Sequence, residues 1–136
     1  LSFYKPGFTL KQASVAATKV LTQGMIDLGL LEGELDELIK NEAYKAFYMH
    51  GLGHWLGLDV HDVGEYKQDE KEREFEPGMV LTVEPGIYVA ADSKAPAQFK
   101  GIGVRIEDNI LITHNGHENL TQSLPKTIAE IESLMA

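Results

Sequence analysis

The sequence predicts an α+β protein, two helices followed by an antiparallel sheet and a closing helix. Three observations predict it: helical periodicity confined to Thr9–Tyr44, short apolar runs broken by glycine and proline from Ala46 onward, and a capped helix signal near the end.

After a turn at Pro6-Gly7, Thr9 and Gln12 form a capping box. Leu10, Val15, Ala16, Val20, Leu21, Met25 and Leu28 then recur at roughly helical spacing until Gly29. A shorter acidic helix is expected from about Glu34 to Tyr44, with Leu35, Leu38 and Ile39 as its buried stripe. The mixed-sign run Asp69 to Glu76 reads as a solvated loop. Met79–Val83, Ile87–Ala90, Gly103–Ile106 and Asn109–Thr113 are the strand candidates, the last two flanking Glu107-Asp108. Asn115-Gly116 offers a hairpin turn. Pro125 and the pair Thr127 with Glu130 start a terminal helix reaching about Met135. No internal repeat or low-complexity segment interrupts this order.

Composition bounds the function. A chain of 136 residues with 43% hydrophobic residues suits one core. Its opening at Leu1 is read as a fragment, so residues 1–136 are expected to form a single partial domain. The formal net charge of -9 argues against nucleic acid, whose phosphates need a basic face. No apolar run approaches a membrane span. With no cysteine, disulfides, thiolate zinc sites and cysteine nucleophiles are excluded, and a reducing, cytoplasmic location is favoured.

The chemistry concentrates in YMHGLGHWLGLDVHDVG (Tyr48–Gly64), which holds His50, His54 and His61, three of the five histidines. His50 and His54 have the i, i+4 spacing of a helical zinc site. Gly51 stands where such a site needs its glutamate, however, and Gly51, Gly53 and Gly57 disfavour a helix. The alternative joins His54 to acids on neighbouring strands. Glu84 ends an apolar strand in LTVEPG, and Glu107 lies between two apolar strands in GVRIEDN. Each could equally be a strand-edge acid facing water, or for Glu107 an acid paired with Arg105. Buried carboxylates otherwise need a partner or a metal. One histidine with several carboxylates suits manganese-like divalent ions, and a pair of such ions can promote amide hydrolysis.

HGLGHWLGLDVHDVG, EPGMVLTVEPGIYV and GIGVRIEDNILIT together resemble the creatinase-like, or pita-bread, metallopeptidases, and within them the bacterial aminopeptidase P branch. The resemblance extends over nearly the whole chain. It implies the C-terminal half of a pita-bread fold, with helices packed on a curved antiparallel sheet. It also implies hydrolysis of the N-terminal Xaa-Pro bond with two divalent ions, manganese favoured, on peptides with proline second, in a homo-oligomeric parent. By position, His54 is the implied histidine ligand, Glu84 a metal-binding carboxylate and general base, and Glu107 the carboxylate shared by both ions. His50 and His61 are implied to line the substrate site and to take part in catalysis, His61 contacting the scissile-bond region or passing a proton. Arg105 would anchor the ligand network, Tyr88 would hydrogen-bond near the metals, and Trp55 would be a packed wall or a contact. The family also uses two upstream aspartates. Before His54 this chain offers only Asp27 and Asp36, in helical contexts, so the metal set is expected to be incomplete and the fragment inactive alone. Two alternatives stand beside this reading: a prolidase, which shares the fold, the ligand set and much of the motif wording but takes only dipeptides, and a pita-bread homologue that binds peptides or a partner without catalysis.

Overall fold

The computed structural model describes residues 1–136. Helix α1 (Leu10–Asp27) begins where the capping box requires: the Thr9 hydroxyl accepts the Gln12 N–H at 3.2 Å, and the Gln12 side chain accepts the Thr9 N–H at 2.9 Å. It ends at Gly29, whose φ of 69° lets the chain reverse so that Leu30 N–H bonds Met25 O and Gly29 N–H bonds Ile26 O. Met25 and Leu30 then meet in one of the two cores. Helix α2 is shorter than expected, Leu35–Lys40, because Glu42 adopts φ 54° and the chain continues as a 3-10 turn over Ala43–Ala46. Its expected buried stripe, Leu35, Leu38 and Ile39, is only half-buried.

The strands are β1 (Lys67–Gln68), β2 (Lys71–Glu72), β3 (Val80–Val83), β4 (Gly86–Tyr88), β5 (Gly103–Arg105), β6 (Asp108–Thr113) and β7 (Gly116–Asn119), and every pairing is antiparallel. The main sheet runs β3-β6-β7. On the free edge of β3 the segment Leu52–Leu56 pairs irregularly, through Leu56 N–H to Val80 O, Thr82 N–H to His54 O and Glu84 N–H to Leu52 O at 2.8–3.0 Å. Strand alternation then divides β3. Leu81 joins Tyr4, Ala13, Leu52, Trp55, Phe75, Ile110 and Ile112 in one core, with Met79 and Val83 packed against it, while Thr82 and Glu84 project to the opposite face. A second core of Met25, Leu30, Phe47, Tyr48, Val89 and Ala95 sits beneath the β4-β5 ribbon.

Three expectations are corrected. The acidic run holds a small hairpin, β1-β2, turned by Asp69 and Glu70 at φ 49° and 64°, a left-handed pair that usually calls for asparagine or glycine. The turn between β6 and β7 is His114-Asn115, so Gly116 opens β7 and does not sit in the turn. Strand β4 ends at Tyr88, because Val89 N–H still bonds Ile102 O but Val89 O accepts from Gly101, an offset of one residue that breaks the ladder. The terminal helix α3 (Ile128–Met135) forms behind its Thr127–Glu130 capping box, yet none of its residues is buried.

Lys126 and Thr121 fasten the segment before α3 to β6, contacting the same oxygen of Asp108 at 2.9 and 2.7 Å. Burial alone would push the Asp108 carboxyl up. Hydrogen bonds from Thr121, Lys126 and Asn119, with the Lys126 charge, outweigh it and hold the carboxyl below its usual value. This contribution is fully present above the unfolded value of about 3.9 and is lost as pH falls through the lower folded value. In acid titrations followed by circular dichroism, Asp108→Asn is expected to flatten the stability loss below about pH 4. Leu81→Ala, at the fully buried centre of the sheet, is expected to cost about 3 kcal/mol in urea unfolding.

Candidate metal centre

Glu84 is 8% exposed, so its carboxylate must be compensated locally. Three groups do so. The Thr82 hydroxyl donates to Oε1 at 3.1 Å, Arg105 Nη1 lies 3.1 Å from Oε2, and His54 Nε2 lies 3.2 Å from Oε1. The His54 ring is oriented from its other side, where Nδ1 sits 2.9 Å from the Trp55 carbonyl. A carbonyl can only accept, so the proton resides on Nδ1, and in the neutral ring Nε2 presents a lone pair toward a carboxylate oxygen. Two acceptors face one another there unless a proton or a cation lies between them. This donor chemistry fits a divalent ion in kind.

The neighbouring residues form a second connected set. Arg105 Nε donates to the Tyr88 hydroxyl at 2.6 Å, the Tyr88 hydroxyl lies 3.1 Å from His50 Nε2, and His50 Nδ1 lies 2.7 Å from the Gly51 carbonyl. One direction satisfies every group: guanidinium to phenol, phenol to imidazole, imidazole to carbonyl. Tyr88 can lie this close because a Cβ at Gly86 would meet its hydroxyl at 2.6 Å. The Tyr88 bond and the charges of Tyr88, Glu84 and Glu107 push the Arg105 guanidinium up, so it stays cationic. Tyr48, edge-on to His50 with ring centres 5.0 Å apart, is pushed up to about 12 by burial and then by the Glu84 charge. It is a neutral wall.

His61 arrives from the loop after β3's partner segment, its ring perpendicular to that of His54 with centres 4.2 Å apart. Tyr66 supports this loop, stacked on Trp55 at 5.4 Å and accepting the Trp55 N–H at 3.1 Å. Trp55 itself is packed in the core. A cavity of about 490 Å³ results, lined by His50, His54, His61, Tyr66, Glu84 and Arg105 with Gly51 and Gly53.

The sequence-derived residues His50, His54, His61, Glu84, Tyr88 and Arg105 therefore come together. Glu107 does not join them. It is exposed on the bend between β5 and β6 and lines a separate cavity of about 540 Å³ with Leu124, Lys126 and Ile131. Arg105 lines both cavities. No group of three or more His, Cys, Asp or Glu side chains placed to hold a metal is present. Of the expected three-donor set of His54, Glu84 and Glu107, the first two are in contact, while Glu107, one residue before the Val83–Asp108 pair of β3 and β6, is exposed and lines the second cavity. Sequence reasoning missed Thr82, Tyr66 and Tyr48. Thr82 had a signal, since it stands two residues before Glu84 on a strand and therefore on the same face.

The sequence profile described as metallopeptidase family M24 matches residues 1–114. The Xaa-Pro aminopeptidase of Haemophilus influenzae is 60% identical over 130 residues, which cover 96% of this chain and 30% of that protein. The structure of the Pseudomonas aeruginosa aminopeptidase PepP superposes with a TM-score of 0.95 at 57% identity, covering 98% of this chain and 30% of that one. Aminopeptidase P from Escherichia coli with the inhibitor Pro-Leu superposes with a TM-score of 0.93 at 53% identity, covering 99% of this chain and 30% of that one. The chain thus spans under a third of the length of the relatives it matches, and the α+β, pita-bread expectation holds for the part it represents.

Two converging donors hold a divalent ion poorly. Titration of the 136-residue chain with Mn²⁺, followed by water proton relaxation, is expected to show no saturable binding in the micromolar range.

Proposed function

The chain belongs to metallopeptidase family M24, and on that premise we propose that its parent protein hydrolyses the N-terminal Xaa-Pro bond of peptides. The observation that carries the reading is the meeting of His54 Nε2 and Glu84 Oε1 at 3.2 Å, an arrangement that a shared cation would complete. The names of the most similar relatives support the substrate class.

In this reading His54, Glu84 and Glu107, with carboxylates from the rest of the parent, hold two divalent ions, manganese favoured by the oxygen-rich donor set. When bound, such ions lower the pKa of water and stabilise charge on the carbonyl oxygen. The remaining work belongs to side chains of this chain. Glu84 takes the proton of the attacking water and returns it to the leaving amine. Arg105 aims that carboxylate by holding Oε2, and Tyr88 holds Arg105. His61, exposed above His54, contacts the scissile-bond region and passes a proton, and His50 lines the substrate side of the cleft. We further place the parent in the cytoplasm, which the lack of cysteine supports, and as a homo-oligomer, for which the uncovered apolar side of α3 offers surface.

The test uses the full-length parent with a manganese supplement, an Xaa-Pro tripeptide and an Xaa-Pro dipeptide. Glu84→Gln is expected to lower kcat on the tripeptide by about 10²–10⁴-fold. Unchanged turnover in that variant would overturn the assignment of Glu84, and turnover of the dipeptide alone would make the parent a prolidase.

A further inference from the structure

Thr82 is 1% exposed and its hydroxyl occupies the one point from which both halves of the His54–Glu84 pair can be reached. The His54 backbone N–H donates to Thr82 Oγ1 at 3.0 Å, and the same hydroxyl donates its single proton to Glu84 Oε1 at 3.1 Å. The direction of both bonds is forced, since an amide N–H can only donate and a carboxylate can only accept. The backbone around the hydroxyl is equally fixed. Thr82 N–H bonds His54 O at 2.9 Å and Glu84 N–H bonds Leu52 O at 2.8 Å. A Cβ at Gly53 would overlap the Thr82 carbonyl oxygen, so glycine is what lets these two segments approach so closely. Because Oε1 is the oxygen that faces His54 Nε2, the Thr82 proton selects its direction, leaving Oε2 to Arg105.

We infer that Thr82 is a positioning residue for the metal centre, its one hydroxyl locking the His54 main chain and the Glu84 carboxylate into the mutual placement that a shared cation requires. The inference rests on reading His54 and Glu84 as metal ligands. Valine at this position keeps the branched shape but leaves the His54 N–H unpaired and Glu84 Oε1 without its donor, whereas serine keeps both bonds and loses only a methyl group. Outer-shell hydrogen bonds of this kind are worth about 10–100-fold in metal affinity.

The experiment takes the full-length parent as wild type, Thr82→Val, Thr82→Ala, Thr82→Ser and Glu84→Gln. Mn²⁺ affinity is measured on chelator-stripped protein by calorimetry, melting temperature on the same stripped samples, and kcat and KM on an Xaa-Pro tripeptide. The expected result is a loss of about 10–100-fold in Mn²⁺ affinity for the valine and alanine variants and recovery of most of it in the serine variant. At saturating metal kcat is expected to fall with KM little changed. Ile112→Val, in the core away from the centre, serves as the purely structural control, expected to lower the melting temperature with affinity unchanged. If either folded hydroxyl-free variant binds Mn²⁺ as wild type does, or the serine variant loses affinity equally, the inference is overturned. If neither hydroxyl-free protein folds, Thr82 is a folding residue and the inference falls as well. Wild-type affinity and turnover in Glu84→Gln would instead overturn the reading of Glu84 as ligand and base, an outcome distinguishable from any result at Thr82.

Discussion

Withdrawing the Glu84 carboxylate from water is the constraint around which the centre is organised. An unpaired carboxylate in that position would cost several kcal/mol after relaxation. The groups around it come from three separate parts of the chain: the donor Thr82 from β3 itself, the facing ring of His54 from the irregular edge segment, and the cation Arg105 from the β4-β5 ribbon. β3 and the edge segment share one core through Leu81, Leu52 and Trp55, and Arg105 is carried by the β4-β5 ladder. Pro85, directly after Glu84, ends β3 and directs the chain into β4, which is why a carboxylate at a strand end can meet an arginine from the next ribbon.

Arg105 links the two cavities. Through Nη1 it compensates Glu84, through Nε it fixes Tyr88 and hence His50, and it lines the second cavity in which Glu107 stands. Glu107 is one of the charges that raise Arg105, so the acid outside the converged pair still acts on it electrostatically. The Lys126–Asp108–Thr121 fastening sits beside that bend and anchors the wall of the second cavity to β6. The chain therefore presents one facing His54–Glu84 pair at the wall of a cavity and one exposed carboxylate beside the second. That arrangement suits a protein part spanning 30% of its relatives' length.

Elements whose signals are local and chemical were legible in the sequence. Both capping boxes, Thr9 with Gln12 and Thr127 with Glu130, opened helices at the residues they marked, because a side chain that satisfies an orphan N–H acts within one turn. β3 and β6 were legible as apolar runs. The β1-β2 hairpin was not, since Asp69 and Glu70 adopt positive φ without the glycine or asparagine that would announce it. The extent of α2 failed for a related reason: the left-handed turn at Glu42 is invisible to periodicity. In the centre, the residue types and their spacing singled out His54 and Glu84, and the fold brings them together. The exposure of Glu107 on the bend between β5 and β6 is a tertiary property that no local signal carries. Thr82 was overlooked because a threonine in a strand ordinarily reads as β-propensity alone.

Joint ligation of one cation by His54 and Glu84 is what we propose for the full-length parent. Anomalous diffraction at the manganese edge, on crystals of the full-length parent grown with Mn²⁺, tests it directly. The account predicts a peak within bonding distance of both His54 Nε2 and a Glu84 carboxylate oxygen. Manganese peaks bound elsewhere, with His54 Nε2 and Glu84 Oε1 still in direct contact, would contradict it.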